Sequence, residues 1–167
     1  MKGLAVVSGV FSLFLVTGCN GPAAPSPAGV VSSATSALAS SPFKGAFEGT
    51  QSATPGTPPF VNIQMTGEGQ GTHVGRFEIA LPHTVNVATA SATGTCTIVA
   101  ADGSRIIASF TGQAQVGPTV SIVEQATITG GTGRFADASG TFTIRRTYVP
   151  ATGVTTGAFE GTLSLTK

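Results

Sequence analysis

From Phe43 onward the apolar residues return at every second position, in short segments cut by Gly, Pro and Thr. A period of two suits β-strands with one buried face, and no stretch of this region carries the 3.6-residue period of an amphipathic helix. Strands are expected over residues 44–52, 60–66, 72–81, 85–99, 104–116, 119–129, 139–149 and 155–166. The fourth is long enough to bend near residues 88–91. Turns are expected at 54–59, 67–71, 101–103, 117–118 and 150–153, where Pro and Gly supply fixed or positive φ. Consecutive strands with short links read as an antiparallel meander, and rolling it up removes its two open edges. The expected fold class is therefore all-β, an eight-stranded antiparallel closed barrel.

An internal repeat argues for that closure. Gly45-Ala46-Phe47-Glu48-Gly49-Thr50 recurs letter for letter as Gly157-Ala158-Phe159-Glu160-Gly161-Thr162, in the first and last strands. In a closed meander these strands become neighbours, with Phe47 and Phe159 inside and Glu48 and Glu160 in solvent. Alternation assigns further inward sets: Gly75, Phe77, Ile79 and Leu81; Ile106, Ala108, Phe110 and Gly112; Phe142, Ile144 and Tyr148; Leu163 and Leu165. An eight-stranded barrel can be filled by its own side chains or hold one small ligand, and these lists mix large residues with small ones.

The N-terminus has a separate character. Lys2 followed by a mostly apolar run from Leu4 to Val16 reads as a secretory signal, too short for a comfortable bilayer-spanning helix. Val16-Thr17-Gly18-Cys19 resembles the lipobox of bacterial lipoproteins, which implies lipidation at Cys19 and a membrane as partner. Asn20 follows that cysteine, and resemblance to enterobacterial lipoprotein sorting, where a residue other than Asp favours the outer membrane, implies that destination. Each buried acyl CH2 contributes about 0.8 kcal/mol, so two or three chains anchor firmly. Residues 20–41 are rich in Pro, Ala and Ser, carry no charge, and read as a tether ahead of a barrel domain spanning 42–167. With Cys19 assigned to lipid, Cys96 is left without an intramolecular partner; its register with Ile98 makes it a buried hydrophobe.

The most distinctive string is Gly130-Gly131-Thr132-Gly133-Arg134-Phe135-Ala136-Asp137-Ala138-Ser139-Gly140, a compact corner between two strands. It resembles the GGTGxFxxAxG signature of the dirigent and allene oxide cyclase families of small β-barrels. The resemblance implies an eight-stranded barrel that assembles as a trimer. In those families the cavity guides cyclisation of an unsaturated epoxide or coupling of phenoxy radicals. Gly130, Gly131, Thr132, Gly133, Arg134, Phe135 and Gly140 form the motif loop, and the matching residues are read as shaping the turn and plugging one barrel end. No catalytic residue is carried over by the resemblance.

Chemistry-bearing residues are sparse, because charged residues make up only 9% of the chain. Setting Lys2 aside leaves seven basic and seven acidic residues, so electrostatic steering of a nucleic acid is not expected. Trp is absent and Tyr148 is the single tyrosine, which argues against a stacking platform. Glu124 shares parity with Ile122 and Ala126: it is either a buried carboxylate, a solvated one, or the partner of Arg145 or Arg146. Arg145 and Arg146 place one guanidinium on each face of their strand. His73 lies at a strand start beside a Gly-rich turn, and His83, after Pro82, reads as loop. Glu124, Arg145, Arg146 and His73 are the candidate catalytic residues. The histidines and Cys96 make no metal-binding spacing, and no cofactor is implied. Gly131-x-Gly133-x-x-Ala136 matches a dinucleotide fingerprint in letters only, since a strand and not a helix follows. The functional expectation is a lipid-anchored envelope barrel that binds a small apolar ligand. The alternatives are an isomerase or cyclase, and a filled barrel acting through its surface.

Overall fold

A computed structural model describes residues 40–166. The expected signal peptide, Cys19 and most of the tether lie outside those residues. The strands are β1 (Ser40–Pro55), β2 (Phe60–Gly71), β3 (Gly75–Ala80), β4 (His83–Asn86), β5 (Ser91–Ala100), β6 (Arg105–Gln115), β7 (Val120–Thr132), β8 (Ser139–Val149) and β9 (Val154–Ser164), with a 3-10 turn at Gly133–Phe135. Every pairing is antiparallel, and β1 pairs with both β2 and β9, which closes the sheet. The described residues contain no α-helix.

β3 and β4 share one position in the barrel. Both pair with β2 on one side and β5 on the other. Ala80 lies opposite Thr66 and His83 opposite Ile63, so the register runs unbroken across Leu81 and Pro82. Leu81 N still donates to Met65 O at 2.9 Å, and Pro82 O accepts from Thr95 N at 3.1 Å. Pro82 lacks the N–H that would continue the ladder, which divides one strand into two. Nine strands thus fill eight positions, and the expected eight-stranded closed barrel is the fold observed.

Some expected boundaries shift. Ser40 and Ser41 already pair with Ser164 and Leu163, so the tether stops short of residue 41 and the barrel begins before residue 42. The expected fourth strand is not one bent strand: a turn at residues 87–90 separates β4 from β5. β7 does not stop at the double glycine. The register shifts by one residue between Ile107 and Ala108, which leaves Thr129 as an extra residue, and pairing resumes through Thr132.

The alternation of burial is regular. Phe47 and Phe159 face inward at 5% and 2% exposure, while Glu48 and Glu160 are exposed, as the repeat implied. Of the expected inward residues, Gly75 is exposed at the start of β3, and Gly112, Tyr148 and Leu165 are half-buried; the others are buried. Phe43, Phe77, Phe142 and Phe159 fill one half of the barrel, with ring centroids 4.7 to 5.7 Å apart. Each such side chain contributes about 1.5–3 kcal/mol by leaving water.

The glycine-rich corner lies at this filled end. Phe135, 1% exposed, belongs to the core cluster. Gly133 adopts φ +60, a conformation that favours glycine, and a Cβ there would strike the Ser104 hydroxyl. Arg134 points outward, 3.4 Å from Asp102, and its guanidinium covers the Phe135 ring at 4.8 Å. Hydrogen bonding to Ser104, chiefly from its backbone, lowers the Asp102 pKa, and the charge of Arg134 adds a smaller push in the same direction. The exposed pair itself contributes little to stability.

Candidate functional site

The opposite end of the barrel is hollow. A cavity of about 370 Å³ opens there, lined by Val61, Ile63, Val85, Ala92, Val120 and Ile122 among others. It exists because the inward positions at this end carry Val, Ala and Ile where the other end carries Phe. The turns around the mouth, residues 55–60, 86–91, 115–120 and 149–154, contain no charged residue. Val87 and Val116 stand at the rim, 61% and 80% exposed, with Phe60 nearby at 44%.

A polar cluster forms between the cavity and the aromatic half. Glu124 on β7 and Arg146 on β8 are diagonal neighbours on the inner face, since Glu124 lies opposite Ile144 and Ile122 opposite Arg146. Their side chains are 0% and 1% exposed. Arg146 Nη2 donates to Glu124 Oε1 at 2.7 Å, and Nε lies 3.2 and 3.1 Å from the two carboxylate oxygens. Nη1 donates to Gln51 Oε1 on β1 at 2.6 Å, and Nη2 lies 3.4 Å from His83 Nε2 on β4. Three charge-assisted contacts to one carboxylate are what make such burial tolerable.

His83 is fixed by its neighbours. Nδ1 lies 2.7 Å from the Leu81 carbonyl oxygen, which only accepts, so Nδ1 carries the hydrogen. Nε2 is left as an acceptor toward Arg146. Burial lowers the His83 pKa below its ordinary value, with the Leu81 carbonyl opposing and the Arg146 charge adding to the fall. The ring also meets the Phe110 edge, with centroids 5.7 Å apart.

Space for the cluster comes from the strand opposite each member. Glu124 pairs with Gly112, His83 with Gly94 and Arg146 with Gly157. A Cβ at any of these glycines would collide with its partner's side chain. Three large polar groups enter the barrel because the facing positions have no side chain.

The candidates from sequence separate accordingly. Glu124 and Arg146 come together inside. Arg145 points outward, as alternation requires of the residue beside Arg146. His73 is exposed in the β2–β3 connection at φ 63, near the filled end and away from the cluster. His83 is a correction: it is 7% exposed, in a strand and not in a loop. Pro82 reads as a strand end in the sequence, yet the register passes through it. Gln51 is a site residue that sequence reasoning misses, although it shares parity with Phe47 and Gly49. Cys96 is buried, and burial raises its pKa far beyond the usual thiol range. Among the described residues no group of His, Cys, Asp and Glu is placed to hold a metal ion.

Tied to Arg146 through both oxygens and closed off from solvent, Glu124 is a structural anion that orients donors. The site can receive an apolar body and meet it with a few fixed polar atoms at its inner end. Comparison with family models, curated proteins and solved structures gave no match to this chain.

Proposed function

We propose that this chain is a lipid-anchored barrel of the bacterial cell envelope, facing the periplasm from the outer membrane, that holds one small, largely apolar molecule. The one-ended cavity with apolar walls and a fixed polar floor carries this reading. Its volume lies near the small end of the roughly 300–1,000 Å³ usual for small-molecule sites. The signal-like start, Val16-Thr17-Gly18-Cys19, Asn20 and the uncharged tether support the envelope location. A role through the surface alone would leave the cavity without a purpose. The isomerase or cyclase reading needs a free acid or base, and Glu124 would first have to release Arg146.

The corner Gly130 to Gly140, joined to an eight-position closed barrel, supports a relation to the dirigent and allene oxide cyclase families, and with it a trimer. Fold carries no activity across such a relation. The test is titration of the purified protein with the neutral fluorescent probe N-phenyl-1-naphthylamine, beside native mass spectrometry of the same sample. Saturable binding or a retained small molecule is the expected result. Absence of both dye binding and a retained small molecule would overturn the reading, and the measured mass decides the oligomer.

A further inference from the structure

The polar floor is specific about what it can accept. Gln51 Oε1 lies 2.6 Å from Arg146 Nη1. A guanidinium only donates, so the atom facing it must be the carbonyl oxygen of the amide. The NH2 end of Gln51 is therefore turned away from Arg146, and Gln51 lines the cavity. Its NH2 has no hydrogen-bond partner among the described residues, whereas the other glutamine of the lining, Gln113, donates to Thr89 O at 2.7 Å. Glu124 holds Arg146, Arg146 holds the Gln51 oxygen, and the chain of contacts ends at the half-buried Gln51 amide in the cavity wall, whose NH2 no protein group occupies.

The charge count matters as much. Arg146 is already neutralised by Glu124, and the ring of His83 adds an acceptor toward the guanidinium, not a charge. An anionic ligand would add a second negative charge near Glu124 in a cavity whose walls are largely apolar. That costs more than one hydrogen bond returns. An uncharged oxygen acceptor meets the free donor with no such penalty.

We propose that the cavity selects an uncharged, elongated apolar molecule whose inner end carries a hydrogen-bond-accepting oxygen, such as a ketone or ester, read by the Gln51 amide. It discriminates against the carboxylate of the same length. This rests on the binding reading above and names the ligand class for that site.

The test displaces N-phenyl-1-naphthylamine from the full-length protein at neutral pH with 2-octanone, octane or octanoate. The ketone should compete about tenfold better than octane and at least about tenfold better than octanoate, the size expected for one buried hydrogen bond. Gln51→Leu should bring the ketone down to octane while the dye still binds. Glu124→Gln, which frees the guanidinium charge, should shift preference toward octanoate; if that variant fails to fold, Gln51→Leu still decides. Octanoate competing as well as the ketone, or a ketone advantage that survives Gln51→Leu, overturns the assignment while leaving the cavity a binding site. A dye that never binds removes the binding reading itself.

Discussion

Gly45 lies directly opposite Phe159 across the β1–β9 seam, and Phe47 lies opposite Gly157. Each copy of the repeat supplies the glycine that the other copy's phenylalanine covers. A Cβ at Gly45 would sit 2.6 Å from Phe159 Cζ, and one at Gly157 2.7 Å from Phe47 Cζ. The six-residue identity is thus a reciprocal interlock at the seam that closes the barrel.

Gly45→Ala and Gly157→Ala should each destabilise the protein by about 1–3 kcal/mol, the cost of overpacking a filled site. A methyl group at Gly45 would also stand 2.8 Å from the Gln70 carbonyl oxygen, so a shift of the Phe159 ring alone cannot make room for it. Urea denaturation measures this; unchanged midpoints in both variants would refute the interlock.

Glu124→Ala or Arg146→Ala should lose about 3–5 kcal/mol, because each leaves an uncompensated charge in the interior. Replacing both at once, Glu124→Leu with Arg146→Met, should recover most of that loss. A double variant as unstable as the two losses summed would show that the pair is not an isolated unit.

The lowered pKa of His83 makes stability depend on pH in a stated direction. The unfolded chain takes up the proton first, at about 6.5. The contribution of the neutral ring is full above that pH, declines as the pH falls below it, and levels off once the folded ring titrates. Denaturation midpoints across neutral to mildly acidic pH should show this decline in the wild type and a shallower one in His83→Gln.

Cys96 should resist a thiol reagent such as Ellman's in the folded protein and react promptly in denaturant, since only an exposed thiolate attacks. Prompt labelling under native conditions would contradict its burial at 1% exposure.

Filling the mouth should separate binding from folding. Ala114 lines the cavity and is half-buried. Ala114→Trp should weaken binding of N-phenyl-1-naphthylamine by about tenfold or more with little change in thermal stability, since the bulk enters empty space. Undiminished binding would locate the dye elsewhere.

The barrel is legible in the sequence because its signals are local. Phe47, Ile106, Phe142 and Phe159 fall on the inner face by simple alternation, and the repeated hexapeptide names the strands that meet. Boundaries are harder to read. Pro82 looks like a stop in a linear reading, but a strand flanked on both sides keeps its register through one missing N–H. That misreading hides His83.

Period-two patterning and the repeat by themselves determined the all-β class, the closure and the inward face of most strands, because side-chain alternation and edge removal need no knowledge of distant partners. Whether Glu124 faced solvent or the interior, which arginine joined it, and that Gln51 and His83 complete the cluster were decided only by the tertiary structure. Those four residues come from β7, β8, β1 and β4, and the room that Glu124, Arg146 and His83 occupy is set by cross-strand glycines. Register between strands, and with it the empty space that admits a buried charge, is a property of the closed barrel and not of any one strand.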